Sequence, residues 1–367
     1  MTASKRANKA GPVQGVKLAT TAAAPSSEPF LPPYPPSWVD RFTDWVDRLP
    51  IPWWLFYVLL ALVLSGAVAL GLWRAGVYAT FGFHPMQVWL PTLAAYLLGL
   101  SHALDHAAVS AMRRFRPAFR GGDADFAAAV YRLTALPARP TLIITAFAVL
   151  TIPLGRFEMA QIQTGGLELA PPVFLAVLAA LYLSSFPVFY HILRQLREIH
   201  RLHRDRSEVR LSNVRPMYAL SRVTSLAALG LAFNNYGWFL AQPGAELSNP
   251  VTVVESLSNF GLALVVFVWP LWSAHRLLAE AKERGLTRVA GRKEAARRQL
   301  HEAMDAGHLD RVDPLNKVLG ALEAENTELV KLATWPWAAG TLRGLLGTVL
   351  LPVVLWLVQR ALGRLLG

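Results

Sequence analysis

Cysteine is absent from the chain, which excludes a disulfide framework, thiolate chemistry and any iron–sulfur or cysteine–zinc centre. Charge is scarce as well: Asp, Glu, Lys and Arg make up 16% of the residues, where a soluble domain carries roughly a quarter. Acids are scarcer than bases, 24 against 36, leaving a formal charge of +12. The basic residues gather between apolar runs, the positive-inside pattern with its affinity for anionic headgroups, so a nucleic-acid partner is not expected. Known catalytic signatures are missing too. There is no Walker loop, no GxGxxG after a strand, no Ser/His/Asp hydrolase pattern and no kinase set. No repeat or inverted half-symmetry is visible, which removes the usual pointer to a secondary transporter. The first 50 residues hold no apolar core and so no secretory signal.

What the chain does have is apolar length. It is 54% hydrophobic with mean hydropathy +0.35, which predicts an all-α polytopic membrane protein of about seven transmembrane helices. Residues 1–36 are basic, then Ala-, Ser- and Pro-rich, and read as a disordered cytoplasmic tail. Over 37–49, Ser37 caps a short helix with Trp38, Phe42, Trp45 and Leu49 on one face. Asp40, Arg41, Asp44, Asp47 and Arg48 lie mostly on the other, the pattern of an interfacial amphipathic helix lying on the membrane. Spans one to six fall within 50–274, near 53–73, 86–108, 140–154, 171–192, 217–240 and 254–272. The third is the shortest and weakest. The fourth continues without a breaker into the charged stretch 193–215.

The 109–139 loop and the 193–215 extension are rich in Arg and belong on the cytoplasmic side. The loops near 75–85, 155–169 and 241–253 carry few charges and go outside. Residues 275–334 are charged and helical, with an Asp313-Pro314 cap opening a second helix. Leu315, Val318, Leu322, Leu329 and Leu332 give that helix an apolar stripe, so the segment reads as a cytoplasmic hairpin and oligomer contact. Residues 335–367 form the last span. It opens on Trp335-Pro336-Trp337, carries Gly340, Gly344 and Gly347 for close packing, and places Thr341, Thr348 and Gln359 on one face as pore-lining candidates.

Three constellations bear on chemistry. SHALDH sets His102 and His106 four residues apart on one helix face, as in a two-histidine metal site, with Asp105 beside them. By the predicted topology His191 and His275 lie at a similar depth, and His200 and His203 follow on the extension. Interfacial histidines at the headgroup boundary account for the same pattern. No cofactor and no metal are expected, and His102 and His106 are weak candidates only. Asp105 needs a partner, for which Arg113 or Arg114 is the expected choice. Asn234, Asn235 and Tyr236 on span five and Asn259 on span six share the outer leaflet and are ligand-pocket candidates, against ordinary interhelical hydrogen bonding. Finally, Pro153, Pro187, Pro270 and Pro352 fall within or near the ends of spans, where they kink helices.

The segments LRQLREIHRLHR, WPLWSAHRLLAEAKERGL and WPWAAGTLRGLLGTVLLPVVLW look like parts of uncharacterised polytopic membrane proteins of bacteria. In plan the chain also resembles the seven-transmembrane ion channels that include insect odorant and gustatory receptors. That resemblance implies a cytoplasmic amino terminus, an outside carboxy terminus, a cytoplasmic helical anchor and a last span lining a tetrameric pore. The family's Thr-Tyr…Gln-Phe signature does not fit here, because Thr348 and Gln359 are too far apart and Arg360 follows. The expectation is a bacterial inner-membrane, homo-oligomeric, channel-like protein with lipid as its surroundings and an unknown small ligand. The alternatives are a non-conducting sensor or scaffold and a histidine-based membrane oxidoreductase.

Overall fold

The computed structural model describes residues 31–77, 84–159, 166–241, 258, 261–337 and 347. Among them every named element is helical: α1 (Trp38–Asp47), α2 (Trp53–Arg74), α3 (Pro85–Phe115), α4 (Asp123–Thr134), α5 (Ala138–Met159), α6 (Pro171–Asp205), α7 (Ser221–Ala241), α8 (Trp272–Asp305) and α9 (Leu309–Lys331). Four helical runs are long and apolar enough to cross a bilayer: Trp53–Arg74, Ala138–Arg156, Pro171–Asp205 and Gly261–Asp305. The chain is therefore a membrane protein. Two of the seven expected spans, the second and fifth, lie on α3 and α7, which do not reach that apolarity. The last lies outside the described residues, apart from Trp335–Trp337 and Gly347.

α3 falls short because it is the central helix. It packs against α2, α4, α6 and α7, and Met86, Leu90, Leu104, Met112 and Phe115 are wholly buried. A helix covered by other helices has no need to be apolar all round, so α3 carries Gln87, Ser101, His102 and Asp105 in its buried faces. α7 crosses it closely through glycines. A Cβ on Gly230 would come within 2.6 Å of Leu100, and one on Gly237 within 1.8 Å of the Trp89 ring, so both positions require a residue without a side chain.

Several boundaries move from those the sequence predicts. The 109–139 loop contains α4, whose first turn carries Asp123 and Asp125 where the helix dipole favours acids. The weak third span is a full helix, Ala138–Met159, with Pro153 inside it. Near the end of the sixth span Pro270 converts one turn to 3-10 geometry, Trp269–Leu271, and the helix then resumes as α8. The second charged helix starts at Leu309 rather than Asp313. Gly307, at φ +73°, reverses the chain in the left-handed region, and Pro314 sits inside the helix, where it removes a single backbone bond. α8 and α9 run antiparallel, with Lys282 Nζ donating to the carbonyls of Val330 and Leu332 at one end and Lys293 meeting Glu323 farther along. Their seam holds Val289, Ala296, Leu322 and Leu329, flanked by Leu286 and Leu319. Val318 is 48% exposed, so the stripe runs through Leu319 in its place.

α1 differs most from expectation. It lays Val39, Thr43 and Val46 against the protein, while Trp45 faces outward. Asp40, read as polar-face, is 2% exposed. Its carboxylate accepts from Ser37 N at 2.8 Å, Ser37 Oγ at 2.7 Å and Leu136 N at 3.1 Å, closing a capping box and tying α1 to the start of α5. Ser37 N donates to Leu136 O and Ala138 N to Pro35 O, which holds the chain before α1 alongside 135–138.

A candidate metal centre at the foot of the bundle

Docking α1 on its Val39 face brings Asp47, in its last turn, over the start of α2 and the later turns of α3. Asp47 Oδ1 lies 3.0 Å from His102 Nε2 and 3.5 Å from His106 Nε2. The two Nε2 atoms are 3.1 Å apart. Donors that hold one ion at about 2.1 Å stand about 3.0 Å apart at right angles and about 3.4 Å apart in a tetrahedron. The three observed separations fall close to that range.

The three atoms lie within 3.0–3.5 Å of one another, and two arrangements serve them. With a proton on each Nε2 both imidazoles donate to Asp47; with both Nε2 atoms bare, their lone pairs meet across 3.1 Å and need a cation between them. A cation satisfies all three. The neighbouring groups suit such a role. Tyr57 Oη is 3.1 Å from His102 Nδ1, where an Nδ1–H donated to it would leave Nε2 free as a ligand. The Trp53 ring stacks on His106 at 5.6 Å and 14°. His102 is fully buried, whereas the His106 side chain is 46% exposed, so one side of the cluster is open. Burial raises the Asp47 carboxyl, but hydrogen bonds from His102 and His106 with their positive charge outweigh it and hold the group well below the usual carboxylate range.

A second polar group sits beside this cluster. Asp105, on the same helix as the histidines, turns to α6 and not to Arg113 or Arg114. His191 Nε2 lies 3.0 Å from Asp105 Oδ1, within ion-pair distance although not aligned for a hydrogen bond. Gln195 Nε2 donates to the same oxygen at 3.3 Å. The arginines lie eight and nine residues further along α3, about 12 Å away along the axis, too far to fold back inside. Of the other histidines, His200 stacks on Trp269 and His275 on Trp335, while His203 Nε2 is 3.3 Å from Met217 O. These three are therefore packed singly and do not join the cluster.

Among the described residues the remaining sequence candidates form no site. Asn234 and Tyr236 are half-buried on α7, and the Asn235 side chain and Asn259 lie outside the described residues. Thr341, Thr348 and Gln359 also lie outside them. Of the α9 stripe, Leu322 and Leu329 are buried in the α8–α9 seam, and Leu315 and Leu332 are half-buried.

Sequence reasoning found the two histidines and missed Asp47. The HxxxH spacing is local to one helix, whereas Asp47 joins it only through the tertiary docking of α1. The signal available was a carboxylate at the end of an amphipathic helix immediately before Trp53. No protein-family model, curated protein or solved structure matches this chain.

Proposed function

We propose that this protein binds a first-row divalent metal ion through Asp47, His102 and His106 at the membrane boundary, on the cytoplasmic side expected from its basic loops. The observation that carries the reading is the convergence of one carboxylate oxygen and two imidazole nitrogens within 3.0–3.5 Å of one another. Two nitrogens and one oxygen with an open side suit Zn²⁺ or Fe²⁺, the ions that use such three-residue sets when a substrate or water takes the remaining positions. A metal-dependent membrane enzyme is therefore the supported class, in line with the oxidoreductase alternative. The channel-like plan depends on the last span and draws no support from the described residues.

The test is metal analysis of the protein purified in mild detergent without added chelator. About one equivalent of zinc or iron, lost in a His102→Ala/His106→Ala variant that keeps its helical content, supports the reading. Wild-type protein that carries no metal and takes up neither Zn²⁺ nor Fe²⁺ at micromolar concentration overturns it, leaving the cluster as a hydrogen-bonded anchor for α1.

A further inference from the structure

Beside the candidate centre, α2, α3 and α7 enclose a groove of about 510 Å³. Trp53, Tyr57 and Ala103 line one end, and Trp89 and Phe233 the other. Trp53 and Tyr57 are shared with the metal cluster: one stacks on His106 and the other touches His102. Along α3 the groove floor follows Thr92, Tyr96, Gly99 and Ala103. The next step of that 4-3-4-3 stripe is His106, the exposed member of the cluster. Gly99 keeps the floor open, since a Cβ there would stand 3.1 Å from the Tyr57 ring.

Size and surroundings narrow the occupant. From Trp89 to Ala103 the helix rises about 21 Å, most of the roughly 30 Å hydrocarbon thickness. Spread over that length, the empty space of about 1090 Å³ gives a mean section of about 52 Å², below the 80 Å² or so of a helix with its side chains. Neither the last span nor a helix of a second copy fills such a slot; either would only cover it. Trp54, Val58 and Phe233 on its walls are about half exposed, so it is open along one side, and its lining is almost wholly apolar, as suits a face towards lipid. On α7 the wall residues Leu226, Leu229 and Phe233 continue one turn towards the basic end to Arg222, which is exposed. A cation held by Asp47, His102 and His106, with a guanidinium one turn beyond the groove lining, would be complementary to an acid on a single long chain.

We propose that this groove binds a long-chain fatty acid, with its hydrocarbon along α3 and its carboxylate at the open side of the Asp47–His102–His106 centre. The assignment of the headgroup rests on the metal reading above; the assignment of the chain rests on the groove. The experiment uses the full chain in phosphatidylcholine nanodiscs and a fatty acid bearing a diazirine at its methyl end, with crosslinks mapped by mass spectrometry. The expected label falls on groove residues near Trp89 and Phe233. It is displaced by the unlabelled acid and not by an alkylamine of equal length. Ala103→Leu and, separately, Leu229→Trp lower it at least tenfold while metal content stays unchanged. Arg222→Gln weakens displacement by the acid. Metal-bearing protein labelled evenly over its lipid-facing helices, or labelled equally in both groove-filling variants, overturns this inference and leaves the metal reading standing. Wild type that is selectively labelled in the groove but carries no metal overturns the headgroup assignment and the metal reading together.

Discussion

Asp47 Oδ1 lies 3.0 Å from His102 Nε2, joining the last turn of a short polar helix to the interior of the central helix. The contact is placed by parts that do not touch the cluster. Ser37 and Asp40 fix where α1 begins, the Asp40 carboxylate fixes it to Leu136, and Val39 and Val46 fix its rotation by burial. Two turns after Asp40, Asp47 falls on the same side of the helix and meets His102. An arrangement held this firmly by surrounding groups is what a metal site needs before the ion arrives.

Asp47→Asn should separate metal binding from docking. The amide keeps the size of the carboxylate but loses its charge and one acceptor, so metal occupancy is expected to fall at least tenfold. α1 should stay in place, because the Asp40 network and the Val39 and Val46 contacts remain. Metal analysis gives the first quantity, and protease resistance between residues 37 and 52 gives the second. Loss of both together would show that Asp47 serves chiefly to dock the helix.

Tyr57→Phe removes only the hydroxyl beside His102 Nδ1. Groups that orient a ligating histidine are typically worth 10–100-fold in metal affinity, and a weakening of that size is expected by competitive titration with a chromogenic chelator. The ring itself packs with Phe42, Trp53 and Phe56 and is retained, so the folded state should change little. An affinity unchanged within twofold would mean that His102 binds no ion through Nε2.

How much of this was legible in the sequence depended on whether the signal was local. The four-residue spacing of His102 and His106 lies within one helix and is visible by eye. Asp47 and Asp40 were read as solvent-facing, because a helical wheel places acids opposite Trp38, Phe42 and Trp45 and cannot show which face another element covers. The polar character of α3 became intelligible only once its neighbours were in place. A stripe of Leu315, Val318 and Leu322 and one of Leu315, Leu319 and Leu322 satisfy the same 3-4 rule, and only the partner helix chooses between them. The 109–139 segment was read for its arginines, and the Ala-rich run of α4 was passed over.

Asp105 and His191 form a buried ionisable pair, 4% and 2% exposed, and the cost of breaking it should exceed the cost of replacing it. Asp105→Leu leaves Gln195 without its acceptor and His191 without the carboxylate 3.0 Å away. Removing one partner of such a pair costs about 3–5 kcal/mol, whereas exchanging both for apolar groups is often neutral. The double variant Asp105→Leu/His191→Leu is therefore expected to recover most of the loss seen in Asp105→Leu alone, measured by thermal unfolding in detergent. Additive losses would show that the two residues act separately.

The α8–α9 seam offers a test of register at neighbouring positions on one helix. Leu322 is 9% exposed and packs with Val289, Ala296 and Leu329, whereas Val318, one turn earlier, is 48% exposed. Leu322→Asp puts a carboxylate into that seam with Glu323 and Glu325 nearby in sequence and no new cation to meet it. Burying an unpaired charge costs several kcal/mol, so the helices should separate instead. Val318→Asp adds a charge to a surface already open to water and should cost under about 0.5 kcal/mol. Hydrogen exchange over 309–331 reads the difference directly: protection should collapse in the first variant and stay near wild type in the second. Because the seam lies apart from Asp47, His102 and His106, metal content should be the same in both. Equal effects at 318 and 322 would return the contact to the stripe through Val318 and refute the packing through Leu319.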